Sequence, residues 1–125
     1  MARPRVLVAT DEVETAERIR VILAAEGCEV DTVGQAADAL DQFTQYHYDL
    51  LITSLRLRDL DGPGLYWAFR ARWPLAHPRV IFLVREGEDI PSSAKGLEGP
   101  EAPVLPVPFT PEWLRQIARR ALGLL

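Results

Sequence analysis

The sequence predicts an α/β fold in which a five-stranded parallel sheet is covered by helices on both faces. Short apolar runs alternate along the chain with segments whose apolar residues have helical spacing, and this alternation is typical of parallel sheets. The run at residues 48–55 is mostly apolar, as expected of a strand buried on both faces. The chain has 125 residues, 48% of them hydrophobic and 26% charged, so we expect one domain over residues 1–125.

Five runs are assigned to strands because each is short, apolar and bounded by polar or turn-forming residues: 5–9, 29–33, 49–53, 79–84 and 104–107. The second run alternates apolar and polar residues, which indicates a position toward the sheet edge. The third is expected at the centre. The fifth contains Pro106, which has no N–H to donate to a neighbouring strand.

Four segments show an apolar helical face: 12–26, 36–45, 64–72 and a last one that starts at Pro111. Gly27 is expected to end the first helix in a left-handed cap, and Pro74 to stop the third. Thr110 is expected to cap the last helix, with Pro111 as its first helical residue.

The interval at residues 86–103 breaks the alternation. It contains Pro91, Gly96 and Pro100, and a proline inside a helix costs about 3 kcal/mol. We therefore expect mostly irregular chain here, with one or two helical turns around residues 93–98 at most.

The composition argues against several classes of function. The net charge is −4 and no stretch concentrates Lys and Arg, so nucleic acid is not expected as a direct ligand. The single Cys28 excludes an internal disulfide and a cysteine-based zinc cluster, and we expect it to be buried. No apolar run approaches the roughly 20 residues of a membrane span, and the first residues lack an apolar signal region. We expect a cytoplasmic protein that does not contact the membrane.

Three stretches together resemble the receiver domain of response regulators, the module that takes a phosphoryl group from a histidine kinase. They are residues 6–12, which end in Thr-Asp-Glu, residues 48–55, which end the third strand, and Val107-Pro108-Phe109. The resemblance covers nearly the whole chain. It implies a flavodoxin-like receiver fold in bacterial two-component signalling, here with the fourth helix short or lost.

The resemblance also implies which positions would carry receiver chemistry: Thr10 and Asp11 at the family's acidic pair, Ser54 at the phosphoacceptor aspartate, Val84 at the Ser/Thr and Val107 at the lysine. Only Asp11 matches the family's residue type. A serine hydroxyl is a poor nucleophile without an adjacent base, and too few carboxylates remain for a strong Mg²⁺ site. We therefore expect no catalytic residues, no metal and no cofactor.

The expected function is that of a degenerate receiver, or pseudo-receiver, which binds other signalling proteins independently of phosphorylation and is not an enzyme. Two alternatives stay open. The domain could still be phosphorylated by a histidine kinase through Asp59 or Asp61, which lie in the turn after the third strand. It could also bind a small ligand on the same fold, although no glycine-rich phosphate loop or catalytic triad supports this.

Charged residues surround the acceptor position. Asp11 and Glu14 have the spacing of a capping box at the start of the first helix. Glu12 extends the acidic pocket formed with Thr10 and Asp11. Arg56 and Arg85 are candidate cations for these carboxylates, and we expect Arg56 to be the first choice because strand alternation places it on the side of Ser54.

The resemblance implies an interaction face around the fifth strand and last helix, to which we assign Val104, Pro106, Phe109 and Trp113. In receivers this face carries output and dimer contacts, so a homodimer is possible. Val104 stands at the family's switch aromatic, which implies that the aromatic-coupled switch is absent.

Overall fold

The computed structural model describes residues 3–97, 99 and 102–124. In this part of the chain the elements are β1 (Arg5–Ala9), α1 (Val13–Ala25), β2 (Glu29–Val33), α2 (Ala36–Gln45), β3 (Leu50–Ser54), α3 (Gly62–Arg72), β4 (Arg79–Arg85), β5 (Val104–Val107) and α4 (Pro111–Ala121). The predicted α/β class is confirmed, and each predicted strand and helix is present with small shifts at its ends.

The strands form one parallel sheet in the order β2-β1-β3-β4-β5. The central place of the third strand and the edge place of the second are both as expected. Ser54 is the last residue of β3, where it lies beside Leu83 of β4. Because all strands are parallel, the carboxyl ends of β1, β3, β4 and β5 meet at one edge of the sheet.

Strand alternation divides the core between the two faces of the sheet. On one face Val6 and Val8 pack with Ile19 of α1 and Leu114 of α4. On the other face the packing involves α2 and α3, and its largest members are aromatic: Phe43, Tyr48 and Phe69. Cys28 is buried and unpaired with any other sulfur, as expected.

Helix α4 begins as the sequence predicts. The Thr110 hydroxyl accepts a hydrogen bond from the backbone N–H of Trp113 at 3.2 Å, and Pro111 follows the cap. The capping box expected at α1 is wrong: the residue before the helix is Glu12, and no side chain caps it. Because α1 begins at Val13, Asp11 lies one position outside the cap and is exposed to solvent.

Helix α3 begins two residues earlier than expected because Asp61 caps it. The Asp61 carboxylate accepts the backbone N–H of Gly64 at 2.7 Å. Gly62, the first residue of the helix, lies so close to β3 that a Cβ atom there would be 2.2 Å from the carbonyl oxygen of Ser54. A residue without a side chain is thus required for α3 to start directly beside the acceptor position.

The fourth helix expected of a receiver is reduced, as the prolines and glycines predict. Among the described residues between β4 and β5 there is no α-helix, and a 3₁₀ turn forms at Ser92–Ala94. The turn is held against α3 by two hydrogen bonds: the Trp67 indole N–H donates to the Ser93 carbonyl at 2.7 Å, and the Ser93 hydroxyl donates to Asp61 at 2.7 Å. Polar contacts therefore position this turn against α3.

No helix in the described part of the chain is both long and apolar enough to cross a membrane.

Candidate functional site

A recess of about 180 Å³ opens at the carboxyl edge of the sheet. It is lined by residues from the ends of strands, from the loops that follow them and from the first turn of α1: Asp11, Glu12, Thr15, Ser54, Arg56, Leu83, Arg85, Glu88 and Val107. This is the place where open parallel sheets bind ligands. The fold thus brings most of the expected site residues together.

The acceptor position is occupied by a chain of neutral hydrogen bonds. The Ser54 hydroxyl donates to the Thr10 hydroxyl at 2.8 Å, and the Thr10 oxygen accepts the backbone N–H of Glu12 at 3.2 Å. Thr10 is 4% exposed. Two uncharged side chains thus satisfy each other where the resemblance implies carboxylates, and they need no cation between them.

The remaining side chains do not fit a Mg²⁺ ion. Mg²⁺ takes hard oxygen ligands in an octahedral arrangement and is usually bound through carboxylates. Among the described residues no three His, Cys, Asp or Glu side chains are grouped as metal ligands. Three carboxylates line the recess: Glu12 is paired with Arg85, Glu88 faces Arg56, and among the described residues Asp11 alone has no arginine partner.

Arg85, and not Arg56, is the cation that binds the acidic pocket. Its guanidinium forms an ion pair with Glu12, while Arg56 lies 3.9 Å from Glu88 and donates to the carbonyl of Asp89 at 3.1 Å. The expected preference for Arg56 is therefore wrong. Strand alternation does not extend past the end of β3, because Arg56 forms a bridge with Asp61 and turns toward the loop after β4.

Glu88 is a site residue that the sequence analysis missed. Its carboxylate accepts the backbone N–H of Arg85 at 3.0 Å and also faces Arg56. The backbone N–H of Glu88 returns to the carbonyl of Arg85 at 3.1 Å, and Gly87 between them has a φ of 76°. The Arg-Glu-Gly-Glu run is a turn signal, and it could have indicated that Glu88 folds back onto the end of β4.

Val84 and Val107 supply neither a hydroxyl nor an amine to the site. Val84 packs against the core on the α2/α3 face and does not line the recess. Val107 lines the recess and packs against the opposite core. At both positions the side chain contributes apolar contact only.

The two aspartates proposed as alternative acceptors both hold helix ends. The Asp59 carboxylate accepts the backbone N–H groups of Ala36 and Ala37, each at 2.9 Å, and these hydrogen bonds lower its pKa from the ordinary value. Asp61, at the start of α3, accepts the backbone N–H of Gly64 and the hydroxyl of Ser93. Neither aspartate lines the recess.

The expected interaction face is only partly exposed. Val104 is 51% and Trp113 48% exposed, and Pro106 also faces solvent. Phe109 is wrong as a surface residue: it is 5% exposed and belongs to the core between the sheet and helices α1 and α4. The Arg18 guanidinium lies over its ring, 5.1 Å from the centroid.

Residues 6–119 match the family model of the response regulator receiver domain. The chain belongs to this family. Among curated proteins it is similar to the transcriptional regulatory protein PcoR of Escherichia coli, with 28% identity over 75% of this chain and 40% of PcoR. The transcriptional activator protein IrlR of Burkholderia pseudomallei is 30% identical over 75% of this chain and 39% of IrlR. The chain therefore spans about two-fifths of the length of these relatives.

Solved receiver structures share the fold over almost their whole length. A response regulator receiver domain protein from Clostridium thermocellum aligns with a TM-score of 0.80 at 26% identity, covering 97% of this chain and 95% of that one. The receiver domain of NtrX from Brucella abortus aligns with a TM-score of 0.82 at 26% identity, over 96% and 99%. A chemotaxis response regulator of Vibrio cholerae, at 20% identity and a TM-score of 0.80, shows the same fold. The chain is thus a receiver domain of the two-component signalling type.

Proposed function

We propose that this receiver domain is degenerate, and that it acts as a protein-interaction module whose binding does not depend on phosphorylation. Its partners are other signalling proteins. The proposal concerns the receiver domain alone, since the chain covers 40% of PcoR and 39% of IrlR, both named as regulators of transcription.

The observation that carries the proposal is the hydrogen bond from Ser54 to Thr10 at 2.8 Å. Phosphoryl transfer depends on a positioned nucleophile and on charge stabilisation around the transferred group. Here the hydroxyl proton of Ser54 is directed at another hydroxyl, which is not a base. The side chains of Val84 and Val107 then offer no group to hold phosphoryl oxygens.

The ion pairs in the recess support a fixed conformation. Arg85 connects the end of β4 to Glu12 before α1, and Glu88 connects the same loop to Arg56 after β3. Guanidinium groups stay charged at any physiological pH and bind carboxylates directionally. The loops that would respond to a phosphoryl group are therefore connected by side chains without one.

Phosphorylation through Asp59 or Asp61 has less support than the main proposal. Both oxygens of Asp59 accept N–H groups of α2, so an attack on phosphorus by either would remove one of these bonds. Such a reaction would therefore cost the protein helix capping at the same time. Asp61 Oδ1 accepts from Gly64 of α3 and from Ser93, and Asp61 does not line the recess.

The proposal is tested by incubating the protein with acetyl phosphate and Mg²⁺ and measuring its intact mass, with a phosphorylatable receiver treated in parallel. We expect no added phosphoryl group. A stable gain that disappears in Ser54→Ala would contradict the proposal directly. A gain that disappears in Asp59→Asn or Asp61→Asn would instead establish the alternative acceptor.

A further inference from the structure

A groove of about 700 Å³ lies at the opposite, amino edge of the sheet, between helices α3 and α4. It passes over the start of β4 and the residue before β5, and residues of the two helices form its walls. In the described part of the chain its lining contains no acidic residue. The groove is therefore distinct from the recess around Ser54.

Three arginines make this groove basic, although the chain as a whole has a net charge of −4. Arg70 lies on α3, Arg79 at the start of β4 and Arg120 on α4, and His77 lies between the helices. All three arginines are exposed, and none is ion-paired among the described residues. By contrast, Arg5, Arg20, Arg56, Arg85, Arg115 and Arg119 all have carboxylate partners.

The same groove offers apolar and aromatic surface beside the charges. Trp113, at its rim, is 48% exposed, and Pro103 and Ile117 line the floor and wall. The Arg70 guanidinium lies over the rings of Tyr66 and Trp67, at 5.9 and 5.1 Å from their centroids, which holds it at the groove wall. Exposed tryptophan with positioned arginine is the combination that dominates binding energy in protein interfaces.

We propose that the groove binds an acidic, amphipathic segment of a partner protein, with carboxylates on Arg70, Arg79 and Arg120 and apolar side chains against Trp113. The inference rests on the proposed function in so far as that function gives the domain protein partners. Arginine suits this role because its planar guanidinium can engage a carboxylate through two hydrogen bonds.

Charge favours an acidic protein segment over two other occupants, a second copy of the chain and nucleic acid. A symmetric pairing of two copies through the groove would place arginines opposite the same arginines, because a two-fold interface brings identical patches together. Nucleic acid would meet a short basic patch on a molecule of net charge −4, whereas binding to a polyanion requires many phosphate contacts. An acidic protein segment needs only the local patch.

The proposal is tested with random twelve-residue peptides displayed on phage and selected on the immobilised wild-type protein. Enriched peptides are then synthesised with a fluorescent label, and their affinity is measured by anisotropy. The test variant is Arg70→Glu with Arg120→Glu, and Arg70→Gln with Arg120→Gln removes the charge without reversing it. Arg58→Glu is the matched control, because Arg58 is exposed at the other edge of the sheet and outside the groove.

We expect the enriched peptides to combine Asp or Glu with aromatic or aliphatic residues. Their binding should weaken at least about tenfold in both double variants, should be unchanged in Arg58→Glu, and should weaken with added salt. Folding of each variant is verified by thermal unfolding. Enrichment of peptides without acidic residues, or binding to the double variants as tight as binding to the wild-type protein, would overturn the proposal. A negative result in the peptide experiment does not affect the mass measurement. A gain of a phosphoryl group on Ser54 would overturn the proposed function but would not affect the proposal that the groove binds an acidic segment.

Discussion

The Ser54–Thr10 hydrogen bond joins two uncharged side chains at the place where the family's chemistry requires carboxylates. Two carboxylates this close would repel each other and would need a cation between them. A pair of hydroxyls has no such requirement. At the scale of single residues, the recess is therefore stable without a metal, and the charges around it are balanced by arginine.

Restoring the carboxylates should reverse this balance. In Thr10→Asp with Ser54→Asp, the new charges lie beside each other and near Asp11, so we expect a loss of stability of about 1–3 kcal/mol. Mg²⁺ should recover part of the loss by binding the new acidic site. The measurement is thermal unfolding with and without Mg²⁺.

Thr10→Asn with Ser54→Asn is the control for side-chain size, and its unfolding temperature should not respond to Mg²⁺. The wild-type protein should not respond either. A wild-type rise as large as that of the double aspartate variant would show that the present side chains already bind the ion.

The Arg85–Glu12 ion pair should affect loop motion more than stability. The two side chains are 59% and 34% exposed, and pairs of this kind contribute about 0.2–1 kcal/mol. We expect Arg85→Gln to change the free energy of unfolding within that range. It should also accelerate amide hydrogen exchange at residues 86–88. Arg20→Gln, which removes an exposed pair with Glu17 on α1, is the control that should leave this exchange unchanged.

The positions of the recess residues could be predicted from the sequence, but their contacts could not. Ser54 and Thr10 follow from strand ends in a parallel sheet, which a one-dimensional pattern locates well. Arg56 was assigned by continuing the alternation of β3, and the turn after the strand invalidates that step. Glu88 acts through a backbone turn, which composition alone does not place.

Among the elements, the junction between β3 and α3 is the most constrained. Gly62 lies against the carbonyl of Ser54, so Gly62→Ala would put a methyl group 2.2 Å from that oxygen. We expect a loss of about 1–3 kcal/mol or more, because backbone must move to relieve the overlap. The measurement is urea-induced unfolding. Gly34→Ala is the matched control, since a Cβ there meets no atom within 4 Å. Equal stability of the two variants would contradict the close approach.

Helix α2 depends on a cap supplied by a distant loop. Asp59 accepts two N–H groups of α2, and its pKa is lowered below the ordinary value of 3.8. A lowered folded-state pKa means that the contribution to stability is present above that ordinary value and is lost as the pH falls through the folded-state pKa. Asp59→Asn should therefore be less stable than wild type near neutral pH, and the difference in urea midpoints should shrink in acid. A constant difference at all pH values would exclude this role.

The reduced helix between β4 and β5 was predictable because proline and glycine act locally. The contacts that hold this segment could not be predicted, since the hydrogen bonds of Trp67 and Ser93 link residues far apart in sequence. The burial of Phe109 could not be predicted for the same reason. Its place in the core depends on α1 and α4 coming together, and no local pattern distinguishes it from an exposed aromatic.

At the scale of the whole molecule, the two edges of the sheet have different properties. The carboxyl edge holds a recess whose charges are satisfied internally, and the amino edge holds a basic groove whose arginines have no carboxylate partner among the described residues. We infer that binding specificity resides in surface that is always presented, without a chemical event at the recess to expose it.

This conclusion is tested most directly by a two-dimensional ¹H–¹⁵N NMR spectrum recorded with and without beryllofluoride and Mg²⁺, which together mimic a phosphorylated aspartate. We predict unchanged signals at Thr10, Ser54 and Arg85 and in the loops after β3 and β4, while a phosphorylatable receiver treated identically shifts. A new set of signals at these residues would show that the recess still binds a phosphoryl group and that the domain still switches.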